Sequence, residues 1–345
     1  MEMRAALNHI VAGRDLSQNE AAAVMEAIMG GTATSAQIAA LLTALHLKGE
    51  SDAEIAGMAE VMRAKATPVE FAGPVTDTCG TGGDGSHSFN ISTAAALVAA
   101  GAGLVVAKHG NRAMSSRCGS ADVLEGLGVK IDLDAAGVAR CLREAGIGFM
   151  FAPQFHPAMR FVGPVRREIG IRTVFNLLGP LTNPARAQHQ VLGVASAALA
   201  EKLARALSRM RTAHALVVHG DGGVDELSLS GPNLIFRVRG EQPPERIELH
   251  PNELGLAHAP SEALRGGDVT TNVAIVRAIL QGNDTGPRRD VVLLNAAAAL
   301  VAGHKAADFH EGLQLARQSL EAGHAQARLE QLVAVSQAGM ERSVA

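Results

Sequence analysis

The residues best placed to do chemistry begin with Gly80-Thr-Gly-Gly-Asp84, which follows the strand-like run 75–79 and leads through Gly85 to Asn90-Ile-Ser-Thr93 and the apolar run AAALVAAGAG. Glycines lack a Cβ, so successive backbone N–H groups can close on a bulky anion. Asn90, Ser92 and Thr93 at the start of a helical run add capping side chains and unpaired amides, where the helix dipole favours negative charge. A 5′-phosphate or a diphosphate suits such a loop. The spacing is neither G-x-G-x-x-G nor G-x-x-x-x-G-K-[ST], which removes support for a dinucleotide site or a P-loop and leaves a plain glycine turn as the alternative.

A second loop strengthens the phosphate reading. The run 104–107 ends in Lys108-His-Gly-Asn-Arg112 and a Ser/Gly-rich stretch to Ser120. Lys108 supplies a point charge for a phosphoryl oxygen, and Arg112 a planar fork of donors. Asp84 would repel the same ligand unless a divalent cation or a sugar hydroxyl lies between them, which argues for Mg²⁺ or a ribose. Asp225-Glu226, in Gly220-Asp-Gly-Gly-Val-Asp-Glu-Leu-Ser228, offers two adjacent carboxylates in a glycine-rich loop with little side-chain cover. Mg²⁺ favours such hard oxygen ligands and shares its shell with substrate phosphates. A solvated acidic turn is the bland alternative, and co-occurrence with a phosphate cradle favours the metal. Ser92 can add a hydroxyl ligand to a second ion while also serving as a helix cap. His109 and His156 have no triad or zinc spacing beside them and read as isolated structural histidines. Arg166, beside Arg167 and Glu168 on a helical stretch, reads at least as well as a solvated face with a local ion pair, and a carboxylate-binding role needs support from outside these residues.

Composition narrows the partners. The 345 residues are 47% hydrophobic, enough for one large domain or a large and a small one. With 31 Lys+Arg against 34 Asp+Glu the formal charge is −3, which gives no electrostatic footprint for nucleic acid or anionic lipid. Trp and Tyr are absent, so stacking platforms for single strands are missing as well. The ligand should be small. No apolar stretch has the length and freedom from charge of a membrane span, and Met1-Glu-Met-Arg begins no signal peptide, so a soluble, cytoplasmic protein is expected. Cys79, Cys118 and Cys141 are odd in number and widely spaced, as free thiols would be.

Residues 1 to about 66 read as helices only, with capping boxes Ser17-x-x-Glu20, Thr34-x-x-Gln37 and Ser51-x-x-Glu54. Their apolar faces exceed what short helices can cover alone and should pack on the rest of the chain or on a second subunit. Beyond Pro74, short continuous apolar runs at 104–107, 148–152, 191–195 and 215–219 alternate with helical ones, which predicts strands covered on both faces. The fold class expected is α/β: a small all-helical domain over 1–70, to which helices from about 157–185 return, and a large α/β domain over 71–345 with a mainly parallel central sheet. Ligands then belong at strand carboxyl ends, where both glycine loops and Asp225-Glu226 fall. A short strand is expected near 246–249, and helices from about residues 261, 270, 288 and 306.

Taken together, Gly80-Thr-Gly-Gly-Asp84, Asn90-Ile-Ser-Thr93, Lys108-His-Gly-Asn-Arg112 with residues 115–122, the stretch 146–184 and Asp225-Glu226 closely resemble the anthranilate phosphoribosyltransferase family of tryptophan biosynthesis, over nearly the whole chain. The resemblance implies a homodimer of the nucleoside phosphorylase/phosphoribosyltransferase fold that joins phosphoribosyl diphosphate (PRPP) to anthranilate, with Mg²⁺ as cofactor. It implies PRPP contacts from Gly80, Gly83, Asp84, Ser88, Asn90, Ile91, Ser92, Thr93, Lys108, Ser116 and Ser120, and metal contacts from Ser92, Asp225 and Glu226. Gly80, Asn111 and Arg166 would meet anthranilate, with His109, Pro153 and His156 lining its way in, and Lys108, Asn111 and Arg166 would carry catalysis. Ser88 stands where many relatives have Thr, which keeps the hydroxyl, and Met159 where some have Tyr, which loses a phenol. Two related alternatives are a pyrimidine nucleoside phosphorylase, which the Asp-Glu pair disfavours, and a nucleic-acid-binding relative, which the acidic balance disfavours.

Overall fold

In the computed structural model, which describes residues 1–113 and 117–338, the chain opens with four helices: α1 (Met3–Val11), α2 (Gln18–Met29), α3 (Ser35–Lys48) and α4 (Asp52–Lys65). Each of the three expected capping boxes starts one of them, with Ser17, Thr34 and Ser51 accepting the N3 amide while Glu20, Gln37 and Glu54 bond back to the cap. Glu54 does more than cap. Fully buried, it also accepts the Leu16 amide at 3.0 Å and the Lys48 ammonium at 2.9 Å, which fastens α4 to the loop after α1 and to the end of α3.

The remaining chain alternates strand and helix. In order come β1 (Thr76–Gly80), α5 (Ile91–Gly101), β2 (Val106–Gly110), α6 (Ser120–Gly126), α7 (Ala135–Ala145), β3 (Ile147–Phe151), α8 (Ala152–Phe155), α9 (Gly163–Ile169), α10 (Phe175–Leu178), β4 (His189–Gly193), α11 (Ala197–Arg209) and β5 (His214–His219). Two further strands, β6 (Asn233–Val238) and β7 (Glu245–Leu249), precede α12 (Val269–Leu280), α13 (Pro287–Ala302), α14 (Phe309–Glu321) and α15 (His324–Gln337). The seven strands form one sheet ordered β3-β2-β1-β4-β5-β6-β7, parallel through β5 and antiparallel at β6 and β7. The expected runs at 104–107 and 191–195 are displaced by two residues from β2 and β4. Neither β6 nor α15 was expected. The run near residue 261 is a short 3₁₀ turn, Ser261–Leu264.

Successive residues of the central strands face opposite layers, and both layers are dry. Val191, Leu216, Val218 and Ile235 join one core with α5 and α13, whereas Leu192, Ala215, Val217 and Phe236 join another with α11 and α1–α4. Two-sided burial is the reason these strands read as continuous apolar runs. The helical region thus packs on the rest of the chain through α11 and α10, and Val162, Val165, Val174 and Phe175 join its core. Helix α5 is buried nearly all round, as an Ala/Val/Leu helix without a polar face must be.

The strand order reverses between β1 and β4. In a doubly wound sheet this opens a crevice at the carboxyl ends of those two strands, the usual place for a ligand.

Candidate active site

Gly80 ends β1 and Gly193 ends β4, and the two are paired across the sheet at the crevice. A Cβ on Gly193 would lie 1.6 Å from the Asp225 carbonyl oxygen, and one on Gly80 would lie 2.4 Å from Asp225 Oδ2. The two bare backbones therefore let the acidic loop descend onto the strand ends. There Asp225 Oδ2 accepts the Gly82 amide at 2.7 Å, and Asp225 donates its own amide to Asp84 Oδ2 at 3.4 Å. Gly82, Gly83 and Gly85 adopt φ values of 67°, 72° and 74°, the left-handed region that a side chain resists. Asp84 also accepts the Ser86 amide at 3.1 Å, and the Ser86 hydroxyl lies 3.2 Å from that of Ser88.

Glu226 completes the acidic group by accepting the amide of Ser92, in the first turn of α5, at 3.1 Å. The pair is half-buried, so the loosely covered turn expected from sequence is instead a carboxylate cluster packed against the glycine loop. Burial first, and then the neighbouring negative charge of Asp84 on Asp225 and of Asp225 on Glu226, push both carboxyls well above their ordinary range. Oxygen donors of like charge, crowded in this way, fit a hard divalent cation. Among the described residues no three His, Cys, Asp or Glu side chains make a complete metal cage. Mg²⁺ usually takes one or two carboxylates and completes its shell with water and phosphate.

Lys108 is not a solvent-facing point charge. It is 2% exposed, with its ammonium donating to the Thr78 carbonyl and lying 3.4 Å from both Thr78 Oγ1 and Ser92 Oγ. Asp77, fully buried beside it, accepts the His109 amide at 3.1 Å and the Asn183 amide group at 2.8 Å. Burial lifts Asp77 to about 6 even though Asn183 and Lys108 oppose the shift. The lysine thus contributes a fixed charge from beneath the helix terminus. Asn90 occupies the N-cap geometry of α5 without capping through its side chain. It donates instead to the Cys118 carbonyl at 3.1 Å and accepts from Asn272 at 2.9 Å, joining the two loops. Ile91 and Thr93 are buried in the first turn.

In the second loop the Arg112 fork is spent on Asp122 and Glu125, each 2.8 Å from Nη1, so the phosphate role expected of it does not hold. Asn111 is exposed; its side chain accepts the Arg112 amide at 2.8 Å and its carbonyl accepts from the Ser120 hydroxyl at 3.3 Å. Ser116 lies outside the described residues.

His109 and His156 are not isolated. Their Nε2 atoms lie 3.2 Å apart and their ring centroids 5.1 Å apart, both side chains buried. Desolvation lowers His109 to about 3 and His156 to about 4, so both are neutral. One ring donates to the other across this contact, and the tautomers decide which. Pro153, exposed on α8, and Met159, in the 3₁₀ turn Pro157–Phe161, flank them in sequence. Arg166 on α9 has no acidic partner among the described residues. Its guanidinium lies 5.4 Å from the centre of the Phe175 ring, and burial lowers its proton affinity. The local ion pair considered from sequence is absent there, and the fork is free for a carboxylate.

Two contacts had no sequence signal. Asn295 of α13, 3% exposed, clamps Leu227 by accepting its amide at 3.0 Å and donating to its carbonyl at 2.9 Å, which fixes the backbone next to Glu226. Arg172, on the segment between α9 and α10, reaches the carbonyls of Gly82 at 3.3 Å and Gly83 at 3.4 Å. The residue type of Asn295 or Arg172 gives no hint of such distant backbone partners.

Residues 4–66 match the helical bundle domain of the glycosyl transferase family, and residues 72–326 match its a/b domain. The chain is 74% identical to the anthranilate phosphoribosyltransferase of Chloroflexus aurantiacus, across 97% of this chain and 99% of that one. Among solved structures, it is similar to anthranilate phosphoribosyltransferase from Thermus thermophilus (48% identity, TM-score 0.90, covering 96% of this chain and 99% of that one). It is also similar to the Saccharomyces cerevisiae enzyme in complex with PRPP and Mg (26% identity, TM-score 0.88, covering 97% and 98%). With identity of this order running through both domains, the chain belongs to the anthranilate phosphoribosyltransferase family.

Proposed function

We infer that this protein transfers the phosphoribosyl group of PRPP to the amino group of anthranilate, giving N-(5-phosphoribosyl)anthranilate and diphosphate. The observation that carries the reading is the joining of glycine loop, α5 terminus and carboxylate cluster at the sheet's switch point, near full-length similarity to enzymes of that name. The same similarity favours this reaction over nucleoside phosphorolysis and over a nucleic-acid-binding role.

The site residues divide the work as follows. Gly80, Gly83, Asp84, Ser88, Asn90, Ile91, Ser92, Thr93 and Ser120 line the PRPP position, with Ser116 assigned by resemblance. Asp225, Glu226 and Ser92 would hold Mg²⁺, which when bound neutralises diphosphate charge. The buried Lys108 ammonium adds fixed positive potential under the same phosphates, at no cost of reorganisation as the leaving group gains charge. Arg166 pairs the anthranilate carboxylate through its free fork, Asn111 orients the amine, and neutral His109, His156 and Pro153 line the aromatic's path. Attack of the amine on ribose C1 as diphosphate departs needs no covalent intermediate. Holding the two substrates in line supplies the entropic advantage.

Residues 1–70, with helices from about 157–185, act as the small domain against which the α/β domain over 71–345 closes. The protein works as a homodimer in the cytoplasm. Support for the dimer comes from Val11 and Leu47, 75% and 80% exposed at the ends of the packed helices α1 and α3, and ultracentrifugation tests it. Among the described residues no helix is long and apolar enough to cross a membrane. The activity is tested by the fall in anthranilate fluorescence on adding PRPP and Mg²⁺, against a protein without Trp or Tyr background. Fluorescence that stays constant with both substrates and Mg²⁺ present would refute the assignment.

A further inference from the structure

The glycine loop is held from two sides. Asp225 takes the Gly82 amide, while the Arg172 guanidinium donates to the carbonyls of Gly82 and Gly83 at 3.3 and 3.4 Å. The guanidinium fills the space that a side chain on Gly83 would need, since a Cβ there would sit 2.0 Å from Arg172 Nη1. Arg172 is exposed, and among the described residues no carboxylate lies within ion-pair distance of it. Among the described residues, the groups it bonds are those two carbonyls.

Its base is firm. Gly170 ends α9 in the left-handed conformation, Thr173 donates its amide to Asn176 Oδ1 at 3.0 Å, and Thr173 and Val174 are buried. The arginine therefore reaches the loop from a pinned segment, six positions beyond Arg166. A guanidinium presents a rigid fork, so it can engage two carbonyls at once. Drawing both carbonyls to one side turns the loop's peptide planes and aims their N–H groups to the other.

We propose that Arg172 is a positioning residue for PRPP: by holding the Gly82 and Gly83 carbonyls it locks the peptide planes that follow them in the orientation that presents the Gly83 and Asp84 amides to phosphate, and it ties that loop to the segment carrying the anthranilate-binding arginine. The proposal rests on the PRPP reading above.

Calorimetric titration of Mg²⁺-PRPP into wild type, Arg172→Ala, Arg172→Lys, Gly83→Ala and the Gly83→Ala/Arg172→Ala pair tests it, alongside steady-state KM values. Loss of two hydrogen bonds from a charged donor predicts about tenfold weaker PRPP binding in Arg172→Ala, with the anthranilate KM changed by less than about threefold. Arg172→Lys should fall between, because an ammonium cannot span both carbonyls. Since Gly83→Ala already displaces the guanidinium, adding Arg172→Ala to it should weaken binding by no more than about twofold. Unchanged PRPP affinity in Arg172→Ala, full rescue by lysine, or a further tenfold loss in the pair would each overturn the proposal, the last by making Arg172 a direct substrate contact. If wild type itself takes up no PRPP, the functional reading fails rather than this one.

Discussion

Asp225 Oδ2 accepts the backbone N–H of Gly82 at 2.7 Å across 143 residues of sequence, so the metal-binding candidate and the phosphate loop are one hydrogen-bonded unit. The contact depends on the glycines that end β1 and β4. It also concentrates negative charge at the proposed PRPP site, which a divalent cation would offset.

Crowded carboxylates should cost stability whenever they are ionised without a counter-ion. Asp225 and Glu226 have folded-state values raised above the unfolded ones, so the folded chain holds extra protons at mildly acid pH and loses that advantage as pH rises through the raised values. We expect Asp225→Asn with Glu226→Gln to be about 1–3 kcal/mol more stable than wild type at pH 8 in EDTA, and to lose most Mg²⁺-dependent PRPP turnover. Denaturant titrations with and without Mg²⁺ at pH 6 and pH 8 read both effects; equal stability of the two proteins at pH 8 would contradict the like-charge account.

The histidine pair has the opposite sign. Between the ordinary histidine value of about 6.5 and the folded values of about 4 and about 3, the unfolded chain takes up protons that the folded chain refuses, so stability is lost as pH falls through this window. Asp77 and the acidic pair drift the other way, so a difference measurement is needed. From pH 7 to pH 5 the stability of wild type relative to His109→Gln/His156→Gln should fall by about 2–4 kcal/mol. A pH-independent difference would mean that the imidazoles are already solvated.

Arg166→Ala should raise the KM for anthranilate about tenfold or more while leaving PRPP affinity nearly unchanged. Arg166→Lys should recover only part, because a point charge cannot grip a carboxylate bidentately. Initial rates at saturating PRPP measure this, and a PRPP-selective defect would reassign the residue.

Gly193→Ala is the sharpest test of the strand-end geometry. Its Cβ would meet the Asp225 carbonyl at 1.6 Å, and backbone there must move. A displacement near 1 Å at a reacting centre can cost about a hundredfold, and we expect a loss of that order in kcat/KM for PRPP with the sheet intact by circular dichroism. Activity within threefold of wild type would show that the acidic loop does not need this approach.

What the sequence disclosed follows from physics that is local. Capping boxes, glycine loops and two-sided apolar strands all announce themselves within a few residues, and with them the helical region, the parallel sheet and the places of Gly80, Asp84 and Asp225. Contacts that depend on folding stayed hidden. Lys108 reads as a free charge until the sheet closes over it, Arg112 as a phosphate ligand until α6 brings Asp122 and Glu125 beside it, and His109 as solitary until His156 arrives from 47 positions away. Arg172 and Asn295 were silent because their partners are backbone groups, which leave no trace in residue type. Strand β6 escaped notice because only part of it is buried and its neighbours are turn residues and arginines.

The central claim is that the glycine loop and the Asp225-Glu226 carboxylates bind PRPP together through a divalent cation. Isothermal titration of PRPP into the protein measures it most directly, once with saturating Mg²⁺ and once with EDTA. We predict strong heat of binding with Mg²⁺ and at least about tenfold weaker binding without it, a gap abolished in Asp225→Asn/Glu226→Gln. Equal PRPP affinity with and without Mg²⁺, or no binding in either, would contradict the account.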